Sequence, residues 1–239
     1  MAGDPKLTPP DIDHQTMDDK NFATGDLAQA WQLLTRPTFT IRREMKDIEG
    51  YYVEDHRLKL LNKPHILGKV LWVQNGGWSV QDPNGQTLAM LWRQHTEDHS
   101  VDNLSSLAHM GFHRWEDARK REETASIYCL ANTDKTVRFF VTFAHGEAIL
   151  DSPSNRPVLK MAKGTSENNI ELTDAFDDPV ASVHTDATTF AETHEVAIQE
   201  AVDPFLVATF TITMSLEMGF EHGGQWRSPY AHLDFTKTE

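Results

Sequence analysis

Asp82-Pro83-Asn84-Gly85 sets the terms for this chain. The proline presets φ, the asparagine tolerates turn geometry and the glycine accepts a positive φ, so the flanking segments must double back as an antiparallel hairpin. The flanks agree. Trp78-Ser79-Val80 leads in, and Leu88-Ala89-Met90-Leu91-Trp92 leads out. The same order of strand, aspartate turn, strand and alanine returns at Leu172-Thr173-Asp174, Asp177-Asp178 and Pro179-Val180-Ala181. Two copies are too few for a solenoid but suit a barrel of related halves. Between them, residues 126–131 and 137–143 frame another hairpin with its turn at 132–135. Thr38-Phe39-Thr40-Ile41 and the stretch from Tyr52 onward alternate with period two, and Val70-Leu71-Trp72-Val73 runs into Asn75-Gly76-Gly77. The fold class expected is mainly β: a closed antiparallel barrel of about twelve strands.

Residues 1–26, with Pro9-Pro10 and Asp18-Asp19, read as a flexible leader, and residues 27–239 as a single domain. A short helix is expected from Asp26, its cap, to Leu34, with Leu27, Trp31 and Leu34 on one side and Pro37 as its stop. The stretch 95–123 is a polar insert, long enough to suggest a functional or mobile segment.

The residues 203–219 pull two ways. Asp203 suits a helix N-cap, Pro204 the first helical position and Gly219 the C-terminal cap. Against this, Phe210, Ile212, Met214 and Leu216 alternate with Thr209, Thr211, Thr213 and Ser215, which taken alone describes a strand. Hydroxyls at those positions can bond to carbonyls one turn back, so a helix buried on every side is physically acceptable.

Glu171-Leu172-Thr173-Asp174, Pro179-Val180-Ala181, Glu195-Val196-Ala197-Ile198 and Val202-Asp203-Pro204-Phe205-Leu206 follow one another as the closing segments of a known family do. In this order the chain resembles the tubby C-terminal-like, or LURP-one-related, domains, relatives of the phospholipid scramblases. The hairpin over residues 78–91 looks like the corresponding unit of the first half. The resemblance spans about fifty residues and is thin between residues 94 and 163. It implies a twelve-stranded barrel around one central apolar helix near the C-terminus. It carries no catalytic motif. Family members that bind phosphoinositides do so through basic residues.

The charge balance bears on that. Asp and Glu number 36 against 22 Lys and Arg, a formal net charge of −14. Such a chain repels the phosphates of nucleic acid and anionic membrane surfaces alike. No apolar run reaches the roughly 20 residues of a membrane-spanning helix. Residues 1–16 hold no apolar stretch of the kind that signals secretion, and the lone Cys129 sits in the apolar run Ile127-Tyr128-Cys129-Leu130, so a cytoplasmic protein with a buried, inert thiol is expected.

No Gly-x-Ser-x-Gly elbow, phosphate loop or dinucleotide glycine motif occurs, so no cofactor is expected. His95-x-x-x-His99 and His109-x-x-x-His113 have helical metal-ligand spacing, but twelve histidines make such spacing common and the expectation is no metal. Asp174, Asp177 and Asp178 read as turn chemistry. What remains is aromatic and histidine content: six tryptophans, with His145, His184, His194, His222 and His232. That is the composition of a small-molecule pocket. The reading is a protein that binds a small apolar molecule and converts it without cofactor, as a cyclase or isomerase does. Trp92, Trp226 and Tyr230 are its expected ligand contacts and His95, His113 and His222 its expected proton-transfer groups. The alternative is a non-enzymatic interaction module or a phosphoinositide-associated one.

Overall fold

The computed structural model describes residues 22, 24–44, 50–55, 64–73, 77–95, 126–134, 136–144, 147–154, 156–162, 168–187, 192–199 and 202–221. Twelve strands follow a short helix and precede a long one. They are α1 (Gly25–Ala30), β1 (Thr38–Glu44), β2 (Gly50–Asp55), β3 (His65–Val73), β4 (Gly77–Gln81), β5 (Thr87–His95) and β6 (Ser126–Asn132). Then come β7 (Val137–Ala144), β8 (Glu147–Asp151), β9 (Pro157–Met161), β10 (Asn169–Thr173), β11 (Pro179–Ala187), β12 (Glu192–Ile198) and α2 (Pro204–Glu221). Each strand pairs antiparallel with the next, and β12 returns to β1, which closes the barrel and leaves no edge.

The turns are built as their residues dictate. Gly85 has φ of 92°, and Asp82 accepts the Gln86 N–H on its carboxylate at 2.7 Å. In the later copy Asp174 accepts from Phe176 and Asp178 at 2.7 and 3.0 Å, and Asp177 takes φ of 70°. Both aspartates donate their backbone N–H to the carbonyl four residues on. β8 and β9, five residues each, were not expected from the sequence.

α1 departs from expectation. It begins at Gly25 and ends at Ala30, because Gln32 enters the left-handed region at φ 54° and turns the chain well before Pro37. Leu27, Trp31 and Leu33 are therefore buried while Leu34 stands 55% exposed. Trp31 donates its Nε1–H to the Gln81 carbonyl at 2.9 Å, meets Phe205 edge-on at a centroid distance of 4.8 Å, and lies directly over Gly68.

For residues 203–219 the helical signals prevail over the alternation. Asp203 accepts the Phe205 N–H at 2.9 Å, the cap expected of it. Thr209 and Thr211 bond back to the carbonyls of Phe205 and Val207, and Thr213 to that of Phe210. Every side chain from residue 204 to 217 is buried, so both the apolar and the hydroxyl-bearing faces are covered. Gly219 does not end the helix, which continues to Glu221. Phe205, Phe210, Ile212 and Leu216 join one buried cluster with Phe39, Ile41, Val70, Leu130, Phe139 and Val183, the alternate residues of the strands. Each such side chain contributes about 1.5–3 kcal/mol by leaving water.

Candidate functional site: an open groove and a closed polar belt

Alternation along β1, β10, β11 and β12 sends one residue of each pair to the core and the next outward. Phe39, Val196, Val183 and Ile170 form one inward row, each beside the next in register. The outward row next to it is Thr40, Glu195, His184 and Asn169, again in register across all four strands. A second outward row holds Thr38, Ala197 and Ser182. On this wall lies a groove of about 480 Å³, with a mostly apolar lining and with Asp55 among its polar members. Asp55 is ion-paired with Arg36. Among the described residues no lysine or arginine lines the groove.

Within it, His184 Nδ1 lies 2.8 Å from Asn169 Oδ1. An amide oxygen only accepts, so Nδ1 carries the proton and donates, and the neutral ring presents its lone pair at Nε2. Glu195 stands directly opposite His184 on β12 and is exposed.

A different polar centre is sealed inside the barrel wall near the last described turn of α2. Glu217 accepts from Arg93 Nε at 3.0 Å and Tyr128 Oη at 2.9 Å on one oxygen, and from Ser126 Oγ at 2.6 Å and an Arg93 Nη at 3.4 Å on the other. Ser215 donates to Glu192 Oε2 at 2.8 Å and in turn accepts from the Tyr51 hydroxyl at 2.9 Å. Arg43, opposite Glu192 in register, stands 3.5 Å from the same oxygen. His194 Nε2 is 3.2 Å from Glu192 Oε1, a charge contact without hydrogen-bond alignment, and its Nδ1 meets the Thr185 hydroxyl at 2.9 Å.

Burial pushes the Glu192 carboxyl up, but His194, Ser215 and Arg43 outweigh it and hold the group below its ordinary range. Burial raises the Tyr128 hydroxyl well above its ordinary value, and the Glu217 carboxylate adds to the effect. The belt is buried, and both Glu217 oxygens are occupied. Buried polar groups tied to one another in this way fasten the helix to the wall. The groove, by contrast, offers an open histidine and an unblocked wall.

The residues expected from the sequence fare differently. Trp92 points outward from β5, opposite Gly77 and Cys129, and is 8% exposed; its Nε1 has no partner among the described residues. Trp92 is not among the groove's lining residues. His95 closes β5, where only its backbone is described. His113, His222, Trp226 and Tyr230 lie outside the described residues, as do residues 96–123 of the insert and most of the leader. Cys129 is buried, and burial raises its thiol far above the ordinary value of 9.0. His184, named in the sequence only as one of a histidine set, is the one among the described histidine side chains that lines the groove. The signal was there in Ser182-x-His184 and Glu195-x-Ala197, outward pairs on two strands that each bury Val183 and Val196 between them.

Among the described residues no helix is long and apolar enough to cross a membrane. No protein-family model matches the chain, and no curated protein matches it either.

Proposed function

We propose that this protein binds a small, uncharged, apolar molecule in the groove on β10, β11, β12 and β1. The observation that carries the reading is the groove itself: about 480 Å³, its surface mostly apolar, with Asn169, Ser182, His184 and Glu195 among its polar members. That is the size and make-up of a small-ligand site. The ligand contacts are therefore read on Thr38, Ser182, His184 and Ala197 rather than on Trp92. The lining does not favour a phosphoinositide headgroup, because its described residues include Asp55 and Glu195 and no lysine or arginine to meet a phosphate.

The tubby-like resemblance enters the same proposal. A closed twelve-strand barrel supports it, and so does an α2 whose residues 204–217 are buried all round and whose side chains reach β2, β5, β6 and β12. On this reading α2 is the plug of the barrel. A plugged barrel has no room inside for a ligand and must bind on its wall.

The test uses the neutral fluorophore N-phenyl-1-naphthylamine. It brightens on binding to the wild type and is displaced by small apolar competitors. Ala197→Trp, which fills the groove from the outward row without touching the core, removes the enhancement and keeps the thermal midpoint. Undiminished enhancement in a folded Ala197→Trp places binding elsewhere and overturns the reading.

A further inference from the structure

We propose that His184 is a general base for the occupant of this groove, with Asn169 as its positioning residue; this rests on the groove being the binding site. Of the histidines whose side chains are described, His194 is 1% exposed and already engaged on both sides, and His65 stands at the start of β3 and does not line the groove. His184 alone of them combines access, a cavity and a fixed tautomer. Its Nδ1–H is committed to Asn169 Oδ1 at 2.8 Å, which leaves Nε2 as the ring's acceptor. A ring held by a second residue loses less freedom on reaching a reactive pose, the reason a base is so often oriented by a neighbour.

The surroundings define the substrate class. Glu195 faces His184 across the β11–β12 pair. Ser182 lies two residues earlier on the same face, so its hydroxyl is available to an oxygen on which negative charge develops. With no lysine or arginine among the described residues of the lining, a substrate that is already anionic is disfavoured. The chemistry that fits is proton abstraction from the α-carbon of a neutral β,γ-unsaturated carbonyl compound, whose enolate extends over the neighbouring double bond. The C–H bond breaks, its electron pair passes into the carbonyl as an enolate held by the Ser182 hydroxyl, and the proton sits on Nε2. Its return to a different carbon completes an isomerisation with no redox change and no cofactor.

The probe is 5-nitrobenzisoxazole, a small, uncharged carbon acid. A base removes its ring C–H proton, the electrons form a nitrile, the N–O bond breaks, and a coloured phenolate leaves. The wild type gives saturable turnover above that of an equal concentration of imidazole. General-base contributions run to about 10²–10⁴-fold, and His184→Ala loses at least about tenfold, the lower edge left by an imperfect substrate. Asn169→Ala lowers kcat with KM unchanged, and Asn169→Asp, which keeps an acceptor for Nδ1–H, restores it. Glu195→Gln lowers turnover by less than His184→Ala does. If Glu195→Gln abolishes turnover and His184→Ala does not, the carboxylate is the base and the assignment falls. N-phenyl-1-naphthylamine binding without turnover overturns the base and leaves the groove; loss of both removes the groove as well.

Discussion

The Tyr128 hydroxyl donates to Glu217 Oε2 at 2.9 Å, joining β6 to a helix 89 residues further along the chain. Arg93 and Ser126 complete the set, so both carboxylate oxygens are satisfied in a site from which water is excluded. A buried carboxylate is acceptable only with such company, and removing one donor exposes the cost. Tyr128→Phe is expected to lower the unfolding free energy in urea by about 1–3 kcal/mol. Glu217→Ala, which strands Arg93, lowers it by about 3–5 kcal/mol. Combining Glu217→Leu with Arg93→Met recovers much of that loss, since a buried ion pair is replaceable by apolar packing. A double variant no better than Glu217→Ala would mean that the pair is not buried together.

Glu192 gives the belt a pH dependence. Its folded-state value is held below the ordinary 4.5 by His194, Ser215 and Arg43 against the effect of burial. A carboxyl depressed in the folded state stabilises above its unfolded value, and that stabilisation drains away as pH falls through the folded one. Urea midpoints for the wild type and Glu192→Gln are therefore expected to differ at neutral pH and to converge on acidification below 4.5. A gap that widens in acid would reverse the sign and the account of the cluster.

At the other end, a Cβ on Gly68 would lie 2.4–2.5 Å from the ring of Trp31, whose Nε1 is tied to Gln81 and whose face meets Phe205. The indole cannot step aside cheaply. Gly68→Ala is expected to cost about 1–3 kcal/mol. Gly77→Ala, where the nearest atom is 3.1 Å away, costs less. Thermal unfolding of the two variants measures the difference, and equal midpoints would show that Trp31 is free to move.

The hairpins were legible because turn chemistry is local: Asp82 and Asp174 each fold their own backbone, and no distant residue is consulted. α2 was not legible from its own residues, because the caps at Asp203 and Pro204 and the strand-like alternation disagreed and only the family resemblance favoured a helix; in the structure the Thr hydroxyls bond within the helix and make no demand on neighbours. Its end was misjudged at Gly219, as glycine permits a cap without compelling one. β8 and β9, no shorter than β4 and β10, were missed because Ser152 stands where Asp82 and Asp174 mark two other turns. The groove was beyond reach for a different reason. Asn169, His184 and Glu195 meet through the successive strands β10, β11 and β12, but Thr38 joins them only when β12 closes on β1, and closure is a property of all twelve strands.

The central claim is that a small apolar ligand occupies the wall of β10, β11, β12 and β1. Methyl NMR spectra recorded while N-phenyl-1-naphthylamine is added test it most directly. The account predicts shifts that saturate for Thr38, Ile170, Val183 and Ala197, which line the groove, with Leu130 and Ile212 unmoved. Shifts centred on Leu130, Ile212 or the strands opposite the groove, with Thr38 and Ala197 still, would contradict it.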